Sequence, residues 1–171
     1  MTLHDTPDLT TLDSTLAREL VIDVLRAAGR HEEQSHGAAR RVAFRTTRYL
    51  IEGATRAGLP ANAIADALDV KPGTLRTRLG VDGLVEPSLF AKFAHVTVRE
   101  LELWRTSGQI ELAGPDPGGV IGYHASELIA ALVRYSLLTK PTRTASEDLA
   151  AAALFKPSRD DPPTIRHVSG L

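Results

Sequence analysis

The stretch that decides the fold is LPANAIADALDVKPGTLRTRLG, residues 59–80. Apolar residues recur at helical spacing on both sides of a short polar turn, and this pattern predicts two short helices, at about 61–68 and 73–79. Asp69 tolerates the left-handed conformation that such a turn requires, and Pro72 suits the first position of a helix because it has no N–H to leave unpaired. Two short helices held by a tight turn form a helix-turn-helix shape.

The side chains of this stretch divide between two faces, as that shape requires. The apolar set that we expect to point inward is Ile64, Ala65, Leu68, Val70, Leu75 and Leu79. The polar set left near solvent is Lys71, Thr74, Arg76, Thr77 and Arg78. Arginine can contact guanine through two hydrogen bonds, and threonine can reach a phosphate or a thymine methyl group. The polar set is therefore a candidate DNA-reading surface, and the alternative is a helical hairpin with solvated arginines.

Charge is distributed unevenly along the chain, although the formal net charge is only −1. Residues 1–35 carry seven acids against three bases, whereas residues 36–80 carry eight bases against three acids. The local field, more than the net charge, attracts a polyanion. A helix predicted at about 38–57 carries the arginines that we interpret as a phosphate-contacting face: Arg40, Arg41, Arg45 and Arg48. The alternative is an ordinary solvated face, partly paired with the acidic first helix.

The segment IADALDVKPGTLRTRL, within 59–80, resembles region 4 of extracytoplasmic-function sigma factors and the related helix-turn-helix regulators. Asp69 stands where those proteins usually have glycine. The resemblance implies that the polar set from Lys71 to Arg78 faces the major groove or its flanking phosphates. The rest of the chain shows no sigma region 2, so we do not interpret the protein as a sigma factor.

After a connector at VDGLVEP, residues 81–87, the second half of the chain predicts another pair of short helices, at about 88–94 and 98–107, followed by a small β-hairpin. The strands of that hairpin are predicted in QIEL and VIGY, on either side of the turn-rich AGPDPGG. A helix at about 126–138 closes this unit. Elsewhere the pattern predicts a first helix at about 14–28 that ends at Gly29, and a polar loop over GRHEEQSHG.

Residues 89–132 resemble the winged helix-turn-helix of mercury-resistance-type (MerR) regulators and phage excisionases. The residues in register are Ala91, Phe93, Val96, Thr97, Leu101, Trp104, Gly108, Ile110, Tyr123, Glu127 and Leu128. In this reading Thr97 caps a helix, Trp104 anchors it to the wing and Gly108 ends it in a left-handed conformation.

The winged unit has fewer bases than its resemblance would suggest. The resemblance implies DNA contacts from Thr97, Arg99 and Arg105. Acids at 100 and 102 offset these arginines, and the wing tip carries Asp116 and no base. The alternative is a structural or partner-binding unit.

The predicted fold class is all-α with a small β-wing. We predict an N-terminal helical domain at 1–83, a winged domain at 84–140, and a C-terminal segment at 141–171. That last segment is predicted to hold a short helix at about 145–155 and a poorly ordered, proline-rich tail.

Several classes of function are disfavoured by composition. The chain has no cysteine, which excludes disulfides, cysteine-bound zinc and a thiol nucleophile. The histidines are scattered, with His31 and His36 in a predicted loop and His124 at the surface, so we expect no metal, no cofactor and no enzyme. No signal peptide and no apolar run long enough for a membrane span is present, which predicts a cytoplasmic protein.

The sequence thus predicts a sequence-specific double-stranded DNA-binding transcriptional regulator, a repressor of phage or mobile-element type. Two tandem readers would allow a monomer or weak dimer to bind an extended asymmetric site. The alternatives are an excisionase-like architectural DNA binder and an adaptor that uses the helix-turn-helix shape to bind RNA polymerase or a recombinase.

Overall fold

The computed structural model describes residues 15–78 and 80–139. Within them the chain is mostly helical, with a two-stranded antiparallel sheet, so the predicted class of all-α with a small β element is confirmed. The helices are α1 Thr15–Gln34, α2 Gly37–Arg56, α3 Ala61–Leu68, α4 Pro72–Leu75, α5 Pro87–Ala94, α6 Val98–Thr106 and α7 Ala125–Thr139, and the strands are β1 Leu84–Val85 and β2 Tyr123–His124. The helix predicted at 145–155 and the tail lie outside the described residues.

Helix α1 is longer than predicted, and this corrects the loop expected over GRHEEQSHG. The helix continues through Gly29 to Gln34, and only two residues separate it from α2. Gly29 lies inside the helix at a packing contact, where a Cβ would lie 3.2 Å from the Leu68 side chain. Glu32, on the last turn, is buried and paired with Arg78, so the polar segment has a partner that stabilises it as helix.

The core is built from small and branched side chains together with Phe90 and Phe93, each of which contributes about 1.5–3 kcal/mol by burial. Helix α1 packs against α2, α3 and α5. It therefore contacts helices on both sides of the boundary predicted between residues 83 and 84. One hydrophobic cluster runs through both halves, and the described residues up to Leu138 form one compact unit. The two predicted domains share this core.

The β element differs from the predicted hairpin. Strand β2 pairs with β1, which lies in the segment we expected to be a connector, with Leu84 opposite His124 and Val85 opposite Tyr123. QIEL and VIGY do not form a ladder; instead one isolated bridge joins Ala113 to Gly122. A Cβ on Gly122 would come within 2.0 Å of the Val85 carbonyl oxygen, so the close approach of β1 depends on this glycine.

Among the described residues, no helix combines the length and apolar character that crossing a membrane requires.

Candidate nucleic-acid interface

The turn between α3 and α4 has the geometry that its sequence predicts. Asp69 adopts the left-handed conformation at φ 52°, and the N–H groups of Asp69 and Val70 donate to carbonyls in the last turn of α3. Pro72 occupies the first turn of α4. Ile64 and Leu75 are buried where the two helices meet. The expected left-handed residue and the expected proline position are both confirmed.

Helix α4 is shorter than predicted. It ends at Leu75, and residues 76–78 form turns in place of a further helical turn. The Thr77 hydroxyl donates to the Thr74 carbonyl at 2.8 Å, and the Arg78 N–H donates to the Leu75 carbonyl at 2.8 Å, which closes the segment locally. We call α3, α4 and the turn between them the α3–α4 hairpin. The side chains that the structure leaves exposed at its C-terminal end are Lys71, Thr74, Arg76 and Thr77.

Arg78 is separated from that exposed group. Its guanidinium donates two hydrogen bonds to the Glu32 carboxylate, at 3.3 Å and 3.2 Å, and lies 4.6 Å from the centre of the Phe44 ring. The two side chains of this ion pair are only 17% and 10% exposed. The structure therefore uses Arg78 to join α1 and α2 to the hairpin, where the sequence had predicted a groove-facing residue.

The N-terminal half of α2 carries an exposed cluster of cations. Arg40, Arg41 and Arg45 are exposed, and no carboxylate among the described residues lies within salt-bridge distance of them. They line an open groove of about 500 Å³, to which Gly37 and Phe44 also contribute among the residues that the structure describes. We call these five residues the basic groove. The Arg78 guanidinium stacks on the Phe44 ring, so the basic groove adjoins the end of the α3–α4 hairpin.

Two further contacts define the edge of the basic groove. A Cβ on Gly118 would lie 3.2 Å from both Arg45 Nη1 and Asp116 Oδ1, which places the wing turn and its carboxylate beside this arginine. That turn is held by Asp116, whose carboxylate accepts hydrogen bonds from the N–H groups of Gly118 and Val120. Arg48, one helical turn after Arg45 on α2, is half-buried. Its Nε is buried and has no hydrogen-bond partner within the described ranges. Arg48 therefore lies apart from the three exposed arginines.

Helix α6 begins and ends as its sequence predicts. The Thr97 hydroxyl accepts the Glu100 N–H, and the Glu100 carboxylate accepts the Thr97 N–H, a reciprocal capping box. Gly108 adopts φ 78° after the last turn, and Trp104 is buried against Tyr135, with ring centres 5.6 Å apart. The predicted cap at Thr97 and the left-handed Gly108 are confirmed, whereas Trp104 packs on Tyr135 of α7, where packing on the wing was predicted.

The exposed face of α6 is close to electrically neutral. Arg99 is exposed, whereas Arg105 is bound to Glu102 through several hydrogen bonds. The bond from Arg105 lowers the pKa of Glu102, and the same bond raises the pKa of Arg105. Val98 and Leu103 are more than half exposed. This surface thus has exposed apolar side chains and little net charge, in contrast to the basic groove.

The sequence analysis missed two acidic side chains, Glu32 and Asp82, each of which has a partner far away in the sequence. Glu32 continues the buried spacing of Val24 and Ala28, so helical periodicity could have identified it as an inward residue. Asp82 was treated as part of a connector, yet its carboxylate accepts hydrogen bonds from the N–H and hydroxyl of Ser126. No local signal identifies Asp82, because its partner is 44 residues away.

His124 belongs to the same cluster as Asp82, and its side chain is 46% exposed, in line with the surface position predicted for it. Its Nδ1 is buried and lies 3.7 Å from an Asp82 carboxylate oxygen, and Arg56 Nη1 lies 3.5 Å from the same carboxylate. This cluster ties the C-terminal end of α2 to β2 and to the start of α7.

Over the described ranges, no group of three or more histidine, aspartate or glutamate side chains is arranged to hold a metal ion. Comparison with known proteins returns no match to a family model, to a curated protein or to a solved structure.

Proposed function

We propose that the protein is a sequence-specific double-stranded DNA-binding transcriptional regulator, acting in the cytoplasm as a repressor of phage or mobile-element type. The observation that carries this proposal is the basic groove, where Arg40, Arg41 and Arg45 are exposed without a carboxylate partner among the described residues. Exposed arginines without an ion-pair partner are suited to the closely spaced phosphates of a duplex.

Two adjacent surfaces of the protein contact the DNA in different ways. The arginines of the basic groove contact phosphates, which positions the protein on the duplex without reading its sequence. The exposed hairpin residues read base edges: Lys71, Thr74, Arg76 and Thr77. Arg78 is not part of this reading surface because Glu32 and Phe44 occupy its guanidinium. The Arg78–Phe44 contact keeps the two surfaces next to each other.

The experiment begins with selection of bound duplexes from a random DNA pool, followed by fluorescence anisotropy on the enriched sequence. Replacing Arg40, Arg41 and Arg45 together by Gln should weaken binding to all duplexes and reduce the salt slope by about 2 to 3, because each lost phosphate contact contributes about 0.9. Arg76→Gln should instead weaken the enriched sequence more than a scrambled one, by about tenfold.

Arg26→Gln is the matched control, since Arg26 is also an exposed helical arginine but pairs with Asp23 on α1. It should leave both affinity and salt slope unchanged. Failure of the pool to yield any enriched sequence would contradict sequence-specific binding. An unchanged salt slope in the triple variant would contradict the placement of the phosphate contacts.

A second candidate function, the adaptor that binds RNA polymerase or a recombinase, is favoured by the surface of α6. Val98 and Leu103 are exposed there, and Glu102 neutralises Arg105. An apolar surface with depleted net charge is typical of a protein interface more than of a phosphate-binding surface. Leu103→Ser should lower the affinity for purified polymerase or recombinase while leaving DNA binding intact, and equal affinities would refute this candidate.

A further inference from the structure

The basic groove combines an apolar wall with cations in a way that a phosphate-contacting surface alone does not need. Its volume of about 500 Å³ lies within the range of about 300–1,000 Å³ that is common for small-molecule sites. Phe44 is 37% exposed and lines the groove beside Arg40, Arg41 and Arg45 on the same helix. Phosphates have no apolar surface and would leave the exposed part of the Phe44 ring in water.

We propose that the basic groove binds a small aromatic anion, with its apolar body on Phe44 and its carboxylate, sulfonate or phosphate against the arginines. Three guanidinium groups without a described carboxylate partner supply the charge complement. The N–H groups of the first turn of α2 add to it, since His36 offers them no side-chain cap and the start of a helix carries partial positive charge.

Contacts within the protein hold part of the groove in place, namely the Phe44 ring and the Arg45 side chain. The Phe44 ring is covered on one side by the Arg78 guanidinium at 4.6 Å, and Arg78 is itself held by two hydrogen bonds to Glu32. Arg45 lies against the backbone of the wing turn at Gly118, where a side chain would crowd it. A ligand therefore meets a Phe44 ring whose position is already fixed, which reduces the entropy lost on binding.

Occupancy of the groove would oppose DNA binding, a consequence that rests on the proposed function. The ligand and the DNA phosphates use the same arginines, so each must lower the apparent affinity of the other. The protein would in this way release DNA when the aromatic anion accumulates.

The test compares two dyes on the full chain: 1-anilinonaphthalene-8-sulfonate and N-phenyl-1-naphthylamine, which has the same apolar body without the sulfonate. The wild-type protein should bind one equivalent of the sulfonate and prefer it by about tenfold or more over the neutral dye, because charge-assisted contacts are stronger than neutral ones. Arg41→Gln with Arg45→Gln should remove that preference, and Phe44→Ala should weaken both dyes.

Leu16→Ala is the matched control for Phe44→Ala, because Leu16 is 38% exposed and lies on α1, outside the groove. It should bind both dyes as the wild type does. Equal affinity of the wild type for the two dyes, or full retention of dye binding in both the Phe44 and the double arginine variants, would overturn the inference.

The two proposals fail in distinguishable ways. If DNA binds with the expected salt dependence but the dyes show no preference for the sulfonate, the aromatic-anion site is wrong and the DNA proposal stands. If the sulfonate binds at the groove and no duplex binds, the proposed function is wrong and the ligand site stands. If both bind without competing, the shared use of the arginines is overturned.

Discussion

The ion pair between Glu32 and Arg78 joins the end of α1 to the segment after α4, across 46 residues of sequence. Both side chains are largely withdrawn from water, at 10% and 17% exposure, so solvent screens their attraction less than it does for surface pairs. Replacing Arg78 by Ala would leave the Glu32 carboxylate buried without its cation. It would also remove the guanidinium from the Phe44 ring.

We expect Arg78→Ala to lower the free energy of unfolding by about 3 kcal/mol. Breaking a buried pair from one side costs about 3–5 kcal/mol, and the remaining exposure of this pair places it at the lower end of that range. For a chain of this length that change corresponds to a fall in Tm of about 6–12 °C. Glu32→Gln should cost about 2 kcal/mol, because it removes the charge but keeps the shape and one acceptor.

Urea unfolding followed by circular dichroism, on both single variants and the double variant, measures the coupling directly. The double variant should be less destabilised than the sum of the singles by about 2 kcal/mol, since Glu32→Gln removes the carboxylate that Arg78→Ala strands. Arg26→Gln, which breaks an exposed pair on α1, should change stability by about 0.5 kcal/mol or less. Additivity of the two single changes within about 0.5 kcal/mol would refute the reasoning.

Three further expectations concern the second half of the chain. Thr97→Ala should lower the free energy of unfolding by about 1 kcal/mol, because the Glu100 N–H loses its acceptor, and an unchanged urea midpoint would argue against the capping box. Gly122→Ala should cost about 2 kcal/mol or more and speed hydrogen exchange at β1 and β2, since its Cβ would meet the Val85 carbonyl at 2.0 Å. Gly118→Ala, whose Cβ would meet side-chain atoms of Arg45 and Asp116 at 3.2 Å but no backbone atom of either strand, should leave the sheet protected. Burial raises the pKa of Tyr123 above its usual 10.0, so the folded state favours the neutral phenol. The resulting stability is present below pH 10 and is lost as pH rises through the folded-state pKa. Tyr123→Phe should flatten the alkaline decline in unfolding free energy. An equally steep decline in that variant would show that Tyr123 does not cause it.

Local signals accounted for most of the helix boundaries. The apolar spacing of α3 and the residues that flank it predicted Ala61–Leu68 without error, and α2 was predicted within one residue at each end. The left-handed Asp69 and the cap at Thr97 were also predicted, because each depends on contacts within four residues. Interactions at such short range depend only on residues that are close in sequence, so the sequence pattern can predict them.

The composition of each surface could likewise be anticipated from the sequence, but its geometry could not. The excess of bases over residues 36–80 predicted a cationic region, and the acids at 100 and 102 predicted a weaker field around α6. The folded structure decides which cationic side chains remain free to bind an anion. Arg40, Arg41 and Arg45 face solvent without a described acid partner, whereas Arg78 and Arg105 are bound by glutamates.

The tertiary structure alone decided the features that depend on residues far apart in the chain. Gly29 is a helical packing contact because Leu68 lies against it, and Leu84–Val85 is a strand because Tyr123–His124 comes alongside. Arg78 faces inward because Glu32 lies on the extended end of α1. A short segment has too few local hydrogen bonds to fix such a state, so the partner that buries and pairs it determines the outcome. The sequence by itself therefore determined the helices and the sign of their charge, and long-range packing determined which side chains remain free to bind.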